Sequence, residues 1–327
     1  MNIGKIPQTV LKRSVLNQIR HRREEVLLGP AVGEDCGIIA INGDDAVVLS
    51  TDPVTGTLQD IGIYAVHVAV NDIASSGAEP IGIMLTILMP ENYSESDLRN
   101  LINNAESICR HLNIEIIGGH TEVTKAVNQP VITVTGIGKI KKENIVKTSK
   151  AKPGQEIVMT KWAGLEGTAI LAKEKENELI TKYPAAFVDG AKKMIDYLSV
   201  VPEAKIAVEI GASSMHDAAK GGIFGALWDI GAASKTGLEV DLKKIQLKQE
   251  TVEICEFYDL NPYMLISGGC LLIVTDRGNM LKDRLKAEGI PAAVIGRITE
   301  GNDRIILNGE ERRFLEPPKA DELYKVI

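Results

Sequence analysis

Short apolar runs alternate with longer stretches of helical periodicity along the whole chain, so strand and helix signals follow one another from the start. Residues 9–20 set Val10, Leu11, Val15, Leu16 and Ile19 at helical spacing among basic positions and end in His21-Arg22-Arg23, predicting a helix outside the core. Residues 36–41 and 46–51 are short apolar runs separated by Asn42-Gly43-Asp44-Asp45, a hairpin signal whose acidic pair reads as a solvated turn. Over 60–76 the pattern becomes helical, with Ile63, Val66, Val70 and Ile73 on one face and Gly77 as the stop. A strand over 81–88 follows, then an amphipathic helix from Ser94 as N-cap, with Asp97 three residues on, to about residue 112. Strands are predicted over 114–117, ending at Gly118-Gly119, and over 131–140.

Lys150-Ala151-Lys152-Pro153-Gly154 is polar and carries a Pro-Gly turn, which marks a boundary. Beyond it come a strand over 156–160 and helices near 165–175, 184–198 and 202–210. Met215-His216-Asp217 leads into Lys220-Gly221-Gly222 and a helix through Ile223, Leu227 and Ile230. The rest reads as strand 238–242, helix 250–258, strand 271–275, helix 277–288 and strands 292–298 and 304–307. This alternation predicts a mixed α/β fold of α+β type. Its expected units are a helical extension over 1–30, a first domain over 31–150 and a second over 151–327.

Composition narrows the classes. With 327 residues, 44% hydrophobic and 25% charged, the chain is long enough for two cores. A net charge of −7 supplies no general basic field, which disfavours nucleic acid. No apolar run reaches the roughly 18 residues of a membrane helix, and Met1 to Pro7 lacks the layout of a signal peptide, so a cytoplasmic location is expected. Cys36, Cys109, Cys255 and Cys270 are far apart and form no CxxC pair, which points to buried small side chains rather than zinc or disulfides.

The chemistry-bearing residues sit where predicted elements end. Gly33-Glu34-Asp35, Ser50-Thr51-Asp52, Asn71-Asp72 and Gly118-Gly119-His120-Thr121-Glu122 gather carboxylates near backbone-donating glycines, as a magnesium-bound polyphosphate requires. Asp72 interrupts an apolar helix face, so it needs a hydrogen-bond partner or a cation; capping of a neighbouring loop is the alternative for this pair. A strand running into Gly118-Gly119 would bring polar groups to its carboxyl end, the usual place for a ligand. Gly221-Gly222 at a helix start offers free amides and a positive dipole end to an anion. Neither GxxxxGK[ST] nor GxGxxG is present, which removes P-loop and Rossmann sites.

In order along the chain, Ser50-Thr51-Asp52, the block from Ala69-Val70-Asn71-Asp72-Ile73-Ala74 to Gly77-Ala78-Glu79-Pro80, Ile117-Gly118-Gly119-His120-Thr121-Glu122 and Met215-His216-Asp217-Ala218-Ala219-Lys220-Gly221-Gly222 resemble one ATP-binding superfamily. It includes aminoimidazole ribonucleotide synthetase (PurM), thiamine-monophosphate kinase (ThiL), selenophosphate synthetase and the hydrogenase-maturation protein HypE. His216-Asp217 with Lys220-Gly221-Gly222, and Thr133-Val134-Thr135-Gly136-Ile137-Gly138, look most like HypE. The resemblance implies a PurM-like two-domain fold, the N-terminal domain forming a barrel across a homodimer. It also implies ATP with Mg2+ and phosphorylation of an amide, carbonyl or phosphate oxygen on a small or protein-borne substrate. Carried over by position, Asp35, Asp52, Asp72 and Asp217 are expected as metal ligands. Asn71, Gly118, Gly119, Thr121, Glu122, Gly221 and Gly222 are expected to hold the nucleotide, with Asp72, Lys220 and His120 in the catalytic machinery.

Several positions depart from that pattern. Gly-Asp-Asp is Gly33-Glu34-Asp35, and Gly-Gly-Asp-Thr is Gly118-Gly119-His120-Thr121, where an imidazole is a poor magnesium ligand and either Glu122 takes over or one metal fewer is held. Ser-Glu-Gly is Ser267-Gly268-Gly269, one acidic group fewer, and no cysteine follows Cys270, so a tail thiol of the HypE kind is not expected. Cys36 beside Asp35 is expected to be a weak nucleophile. A thiamine-monophosphate kinase-like enzyme and a non-catalytic nucleotide-binding maturation partner are the alternative readings.

Overall fold

The computed structural model describes residues 7–19, 21, 23–55, 57, 59–317 and 320–327. Two sheets organise the chain. The first is built from β1 (Val26–Leu28), β2 (Gly37–Ala40), β3 (Asp45–Val54), β4 (Glu79–Met89), β5 (Glu115–Val123) and β6 (Val131–Lys141), in the order β1-β2-β3-β6-β4-β5. Only the β4–β5 pair is parallel, as its crossover helix requires. Two helices accompany it, α2 (Ile61–Ser75) and α3 (Glu95–Leu112), and α1 (Gln8–Ser14) precedes them in the chain.

The second sheet contains β7 (Glu156–Thr160), β8 (Ser214–Asp217), β9 (Gly237–Asp241), β10 (Leu271–Thr275), β11 (Ala292–Thr299), β12 (Arg304–Asn308) and β13 (Glu311–Phe314), ordered β13-β12-β9-β11-β7-β10-β8. Its helices are α4 (Leu165–Glu174), α5 (Glu176–Leu179), α6 (Ala185–Lys192), α7 (Val201–Ile210), α8 (Gly222–Ser234), α9 (Gln249–Phe257) and α10 (Gly278–Ala287). All of β8 and β10 is buried, because one face of the sheet packs against α8 and the other against α7 and α10.

The central helix α2 follows the predicted span closely. Ile61, Val66 and Val70 are buried with Ile83, Leu85 and Val134 of the sheet beneath it and Ile73 with Ile38 and Val48, whereas Ile63, expected on this face, is only partly buried and packs against the cluster of Leu165 and Leu171. Gly136 and Gly138 of β6 make this approach possible: a Cβ on Gly138 would lie 2.3 Å from Ile73 Cγ2, and one on Gly136 3.0 Å from the Ala69 carbonyl oxygen. The glycines of Thr133–Gly138 are therefore a packing requirement of α2. Helix α3 begins with the expected capping box, Ser94 Oγ accepting from Asp97 N and Asp97 from Ser94 N.

Two elements depart from their patterns. The predicted helix over 9–20 is only Gln8–Ser14, continued by a short 3-10 turn at Leu16–Gln18, and it buries no residue. Rather than standing apart, it reaches the second sheet's layer through Gln8, whose side chain bonds Asp229 and accepts from Trp228 Nε1 at 3.1 Å. The strand predicted to stop at Gly118-Gly119 instead runs through both glycines to Val123, with φ of 159° and 153°, as the outermost strand of its sheet. A Cβ on Gly119 would meet the Leu85 carbonyl oxygen at 2.0 Å, so this glycine permits close strand pairing rather than a phosphate turn. Among the described residues no helix is long and apolar enough to cross a membrane.

Candidate functional site

A cleft of about 590 Å³ opens where the first sheet and α2 meet β8, α4 and the N-terminal end of α8. Asp35, Asp52, Asp72, Asp217 and Lys220 all line it. The first sheet contributes Asp52 on β3 and Asp35 ahead of β2, α2 contributes Asp72, and β8 ends in Asp217. Ser50 Oγ donates to Asp72 Oδ2 and stands 3.3 Å from Asp52 Oδ2, holding two of these carboxylates side by side.

The electrostatics follow from burial. Asp72 and Asp217 are 6% and 4% exposed. Burial pushes the Asp72 carboxyl well above the usual range, and the charges of Asp217, Asp52 and Asp35 push it further. Burial, reinforced by Asp35, brings Asp217 up to about 7. The same surroundings raise the Cys36 thiol well above its ordinary value, first by burial and then by Asp72 and Asp35. Its Sγ donates to the Asp72 carbonyl oxygen at 3.1 Å, which fits a packing role.

His216 balances part of this charge. Its Nδ1 is 2.7 Å from Asp35 Oδ2 and its Nε2 is 3.7 Å from Asp229 Oδ2. The Asp35 contact has ion-pair distance without hydrogen-bond alignment, since both atoms lack an aligned partner. Burial alone would lower the imidazole pKa, but the two carboxylates outweigh it and hold the ring well above its usual value.

The donor set suits a hard divalent cation, because it is made of carboxylate oxygens whose mutual repulsion a cation would relieve. Among the described residues no three His, Cys, Asp or Glu side chains already form a coordination cage.

The remaining predicted residues lie elsewhere. Asn71 is spent on the backbone: Nδ2 donates to the Leu198 carbonyl oxygen at 2.8 Å, and Oδ1 accepts from Val200 N at 3.0 Å. The expectation of a phosphate contact gives way to a tie between α2 and the segment before α7. Gly118, Gly119, His120, Thr121 and Glu122 are on β5 and do not line the cleft of their own chain. His120 is exposed, with Nε2 3.2 Å from Glu122 Oε2. Gly221 does meet an anion, but one supplied by the chain itself, since its N–H donates to Asp321 Oδ2 at 2.6 Å. Gly222 is set by packing, its Cβ position lying 2.6 Å from the Tyr263 carbonyl oxygen. Glu34, placed beside Asp35 by sequence, accepts from Thr148 N and Ser149 N at 3.2 and 3.0 Å.

Sequence reasoning quoted His216 only as part of a motif and gave no role to Asp229, Glu166, Tyr64 or Tyr324, all of which border the cleft. They come from β8, α8, α4, α2 and the last residues, so no local spacing connects them. The paired glycines at 268–269 were the available signal for Glu166. A Cβ on Gly268 would sit 2.1 Å from Glu166 Oε2.

Comparison with known proteins places this architecture. Residues 33–140 match the AIR synthase related protein N-terminal domain, and residues 152–308 match the C-terminal domain of the same family. The chain belongs to the AIR synthase related protein family. A Methanocaldococcus jannaschii protein named for hydrogenase expression and formation is 24% identical over 333 residues, covering 99% of this chain and 97% of the relative. The carbamoyl dehydratase HypE of Cupriavidus necator is 27% identical over 252 residues, 74% of this chain and 69% of that protein. A crystal structure of hydrogenase maturation protein HypE in complex with ATP superposes with a TM-score of 0.73 at 20% identity, covering 98% of this chain and 97% of the other. The fold is thus the PurM-like two-domain fold, and the chain stands near HypE within that superfamily.

Proposed function

We propose that this protein is an ATP- and magnesium-dependent enzyme that phosphorylates, and so activates, an amide, carbonyl or phosphate oxygen on a small or protein-borne substrate. The observation that carries the reading is the convergence of Asp35, Asp52, Asp72 and Asp217 from both halves of the chain on one cleft that Lys220 also lines. Asp72 and Asp217 are buried and Asp35 and Asp52 are partly buried beside them, an arrangement that is costly unless a bound cation uses it. The HypE structure solved with ATP supports the choice of nucleotide. Magnesium, when bound, would neutralise charge on the transferring phosphoryl group.

In this reading Asp72 and Asp217 hold the cation, Asp35 and Asp52 complete the acidic wall, and Lys220 offers a positive charge to the phosphates. Ser50 fixes Asp72, and the His216 imidazolium keeps the acidic wall from repelling a polyphosphate outright. No enzyme nucleophile is required, because positioning and charge stabilisation carry most of phosphoryl transfer. A homodimer is part of the proposal, supported by the exposed outer strand β5 and the apolar side chains beside it. The first and second domains are taken as 31–150 and 151–327, with β1 (Val26–Leu28), inside the expected 1–30 extension, joining the first sheet.

Thermal unfolding with and without ATP and Mg2+ tests the reading. Ligand at about 100 times its dissociation constant adds roughly 2.7 kcal/mol of apparent stability. A magnesium-dependent rise lost in Asp72→Asn is the expected result; no rise at millimolar ATP overturns it.

A further inference from the structure

Part of the cleft wall is apolar, formed by Val54, Val68, Ile170, Ile266 and Leu323. Two polar side chains open onto the same cavity. Tyr64 is 2% exposed, and its hydroxyl has no hydrogen-bond partner among the described residues. A buried phenol in that state can be satisfied by a water or by a polar group of a molecule bound in the cleft. The second is Glu166, in the first turn of α4.

The fold makes room for the Glu166 carboxylate specifically. Any side chain at position 268 would put its Cβ 2.1 Å from Glu166 Oε2. The backbone of Gly268 is not in the left-handed region, so the glycine leaves room for the Glu166 carboxylate as it stands rather than serving a turn. The first turn of α4 is fastened to the same loop: Gly164 N donates to Ser267 Oγ at 2.7 Å, and Gly167 N to the Ile266 carbonyl oxygen at 2.9 Å. Glu166 is therefore aimed at the cavity by fixed backbone on both sides.

Its charged surroundings are Asp321 from the final segment, Lys220 before α8, Asp217 at the end of β8 and the Gly268 amide, with the Tyr64 hydroxyl also within electrostatic reach. Burial and then Asp321 push the carboxyl up, against the pull of Lys220, to about 7. A group poised there passes protons well at neutral pH.

We propose that Glu166 takes the proton of the phosphoryl acceptor, in an apolar-walled subsite that admits a neutral group bearing N–H or O–H and turns away a phosphate dianion. The inference rests on the ATP-dependent reading above. In the step, the acceptor oxygen bonds to the γ-phosphorus of ATP while the bond from that phosphorus to the bridging oxygen breaks, and ADP leaves with that electron pair. The acceptor's proton passes to the Glu166 carboxylate. From an alcohol it leaves the attacking oxygen; from a carboxamide it leaves nitrogen as the carbonyl oxygen attacks, giving a phosphorylated imidate. A phosphate dianion has no such proton to give and meets Glu166, Asp217 and Asp321 as like charges.

Glu166→Gln keeps the size of the side chain and removes the proton acceptor. Thermal shifts with a non-hydrolysable ATP analogue and Mg2+ are expected to match wild type. ADP release is then followed with primary carboxamides, alcohols, phosphate monoesters and water alone as acceptors. Turnover of the N–H and O–H acceptors is expected to fall about 100-fold in Glu166→Gln. Glu166→Asp should retain part of the rate, and Gly268→Glu added to Glu166→Ala should recover part of what Glu166→Ala loses, because the new side chain points to the vacated space. Turnover of Glu166→Gln within threefold of wild type overturns the proposal, as does a wild-type preference for phosphate monoesters, or analogue binding with no turnover of any acceptor. A wild-type protein that shows no analogue shift fails the ATP reading itself, which is a separate result.

Discussion

His216 Nδ1 stands 2.7 Å from Asp35 Oδ2, so an imidazole on the edge strand of the second sheet pairs with a carboxylate that precedes β2 of the first. The ring also faces Asp229, and both carboxylates favour its charged form. It is an internal cation in a cleft otherwise crowded with acids. Replacing it by His216→Asn removes the imidazolium from partly buried Asp35 and from Asp229, which Gln8 also bonds, and costs about 1–3 kcal/mol. Urea unfolding of the two proteins near pH 6.5 measures this directly. A loss below about 1 kcal/mol would mean that the pair contributes little.

Glu166 gives a pH dependence of opposite sense to that of an ordinary surface carboxylate. Burial and Asp321 raise it from 4.5 to about 7, so the folded protein binds this proton more tightly than the unfolded chain does. Its ionisation therefore weakens the fold as pH climbs from about 4.5 to about 7, and nothing is lost below that window. Glu166→Gln lacks the titration. Without nucleotide, the variant should gain on wild type by about 2–3 kcal/mol between pH 4 and pH 8, counting roughly 1.4 kcal/mol per unit and discounting for partial exposure. Denaturant midpoints at the two pH values provide the comparison, and parallel curves would contradict the assignment.

Asn71 has a structural prediction attached to it. Asn71→Ala orphans the Leu198 carbonyl oxygen and the Val200 amide, each of which now has a buried amide partner. Two unsatisfied buried backbone groups cost about 2–4 kcal/mol together. The variant should unfold at lower temperature yet retain an ATP and magnesium shift of nearly wild-type size while folded. Loss of the nucleotide shift at full stability would restore Asn71 to the phosphate site.

The elements were legible wherever one period dominated. The span of α2 with Val66, Val70 and Ile73 buried, the Ser94 capping box and the hairpin around Gly43 emerge from local rules, whereas Ile63 is only partly buried and packs against the cluster of Leu165 and Leu171. The short strands β1 and β13 escaped because three or four residues do not define a period. Gly118-Gly119 misled for a physical reason: paired glycines signal a turn, but here one of them clears the Leu85 carbonyl oxygen. In the cleft, Asp35, Asp52, Asp72, Asp217 and Lys220 were found through motif order. Their partners were not, because Glu166 and Gly268, or Gly221 and Asp321, are about a hundred residues apart and only the fold brings them together. The acid that seemed subtracted at Gly268 is present in the cleft as Glu166.

The outer face and edge of the first sheet lead to the last prediction. β5 is the terminal strand, and Ile117 and Val123 on it are 51% and 57% exposed, next to Ile81 and Met84 of β4 at 41% and 43%. An unpaired edge with apolar side chains is a liability in a lone chain and a ready contact for a second copy. Sedimentation equilibrium should give twice the 35.4 kDa chain mass. Lysine at both Met84 and Ile117 should release monomers, since burying like charges across a symmetric contact is unfavourable. The same variant separates two roles for His120, Thr121 and Glu122, which stand on β5 outside their own chain's cleft. A monomer that keeps its ATP and magnesium shift confines the nucleotide site to one chain. A monomer that loses the shift while remaining folded makes the second copy part of the site, and a wild-type protein that is monomeric at micromolar concentration refutes the dimer altogether.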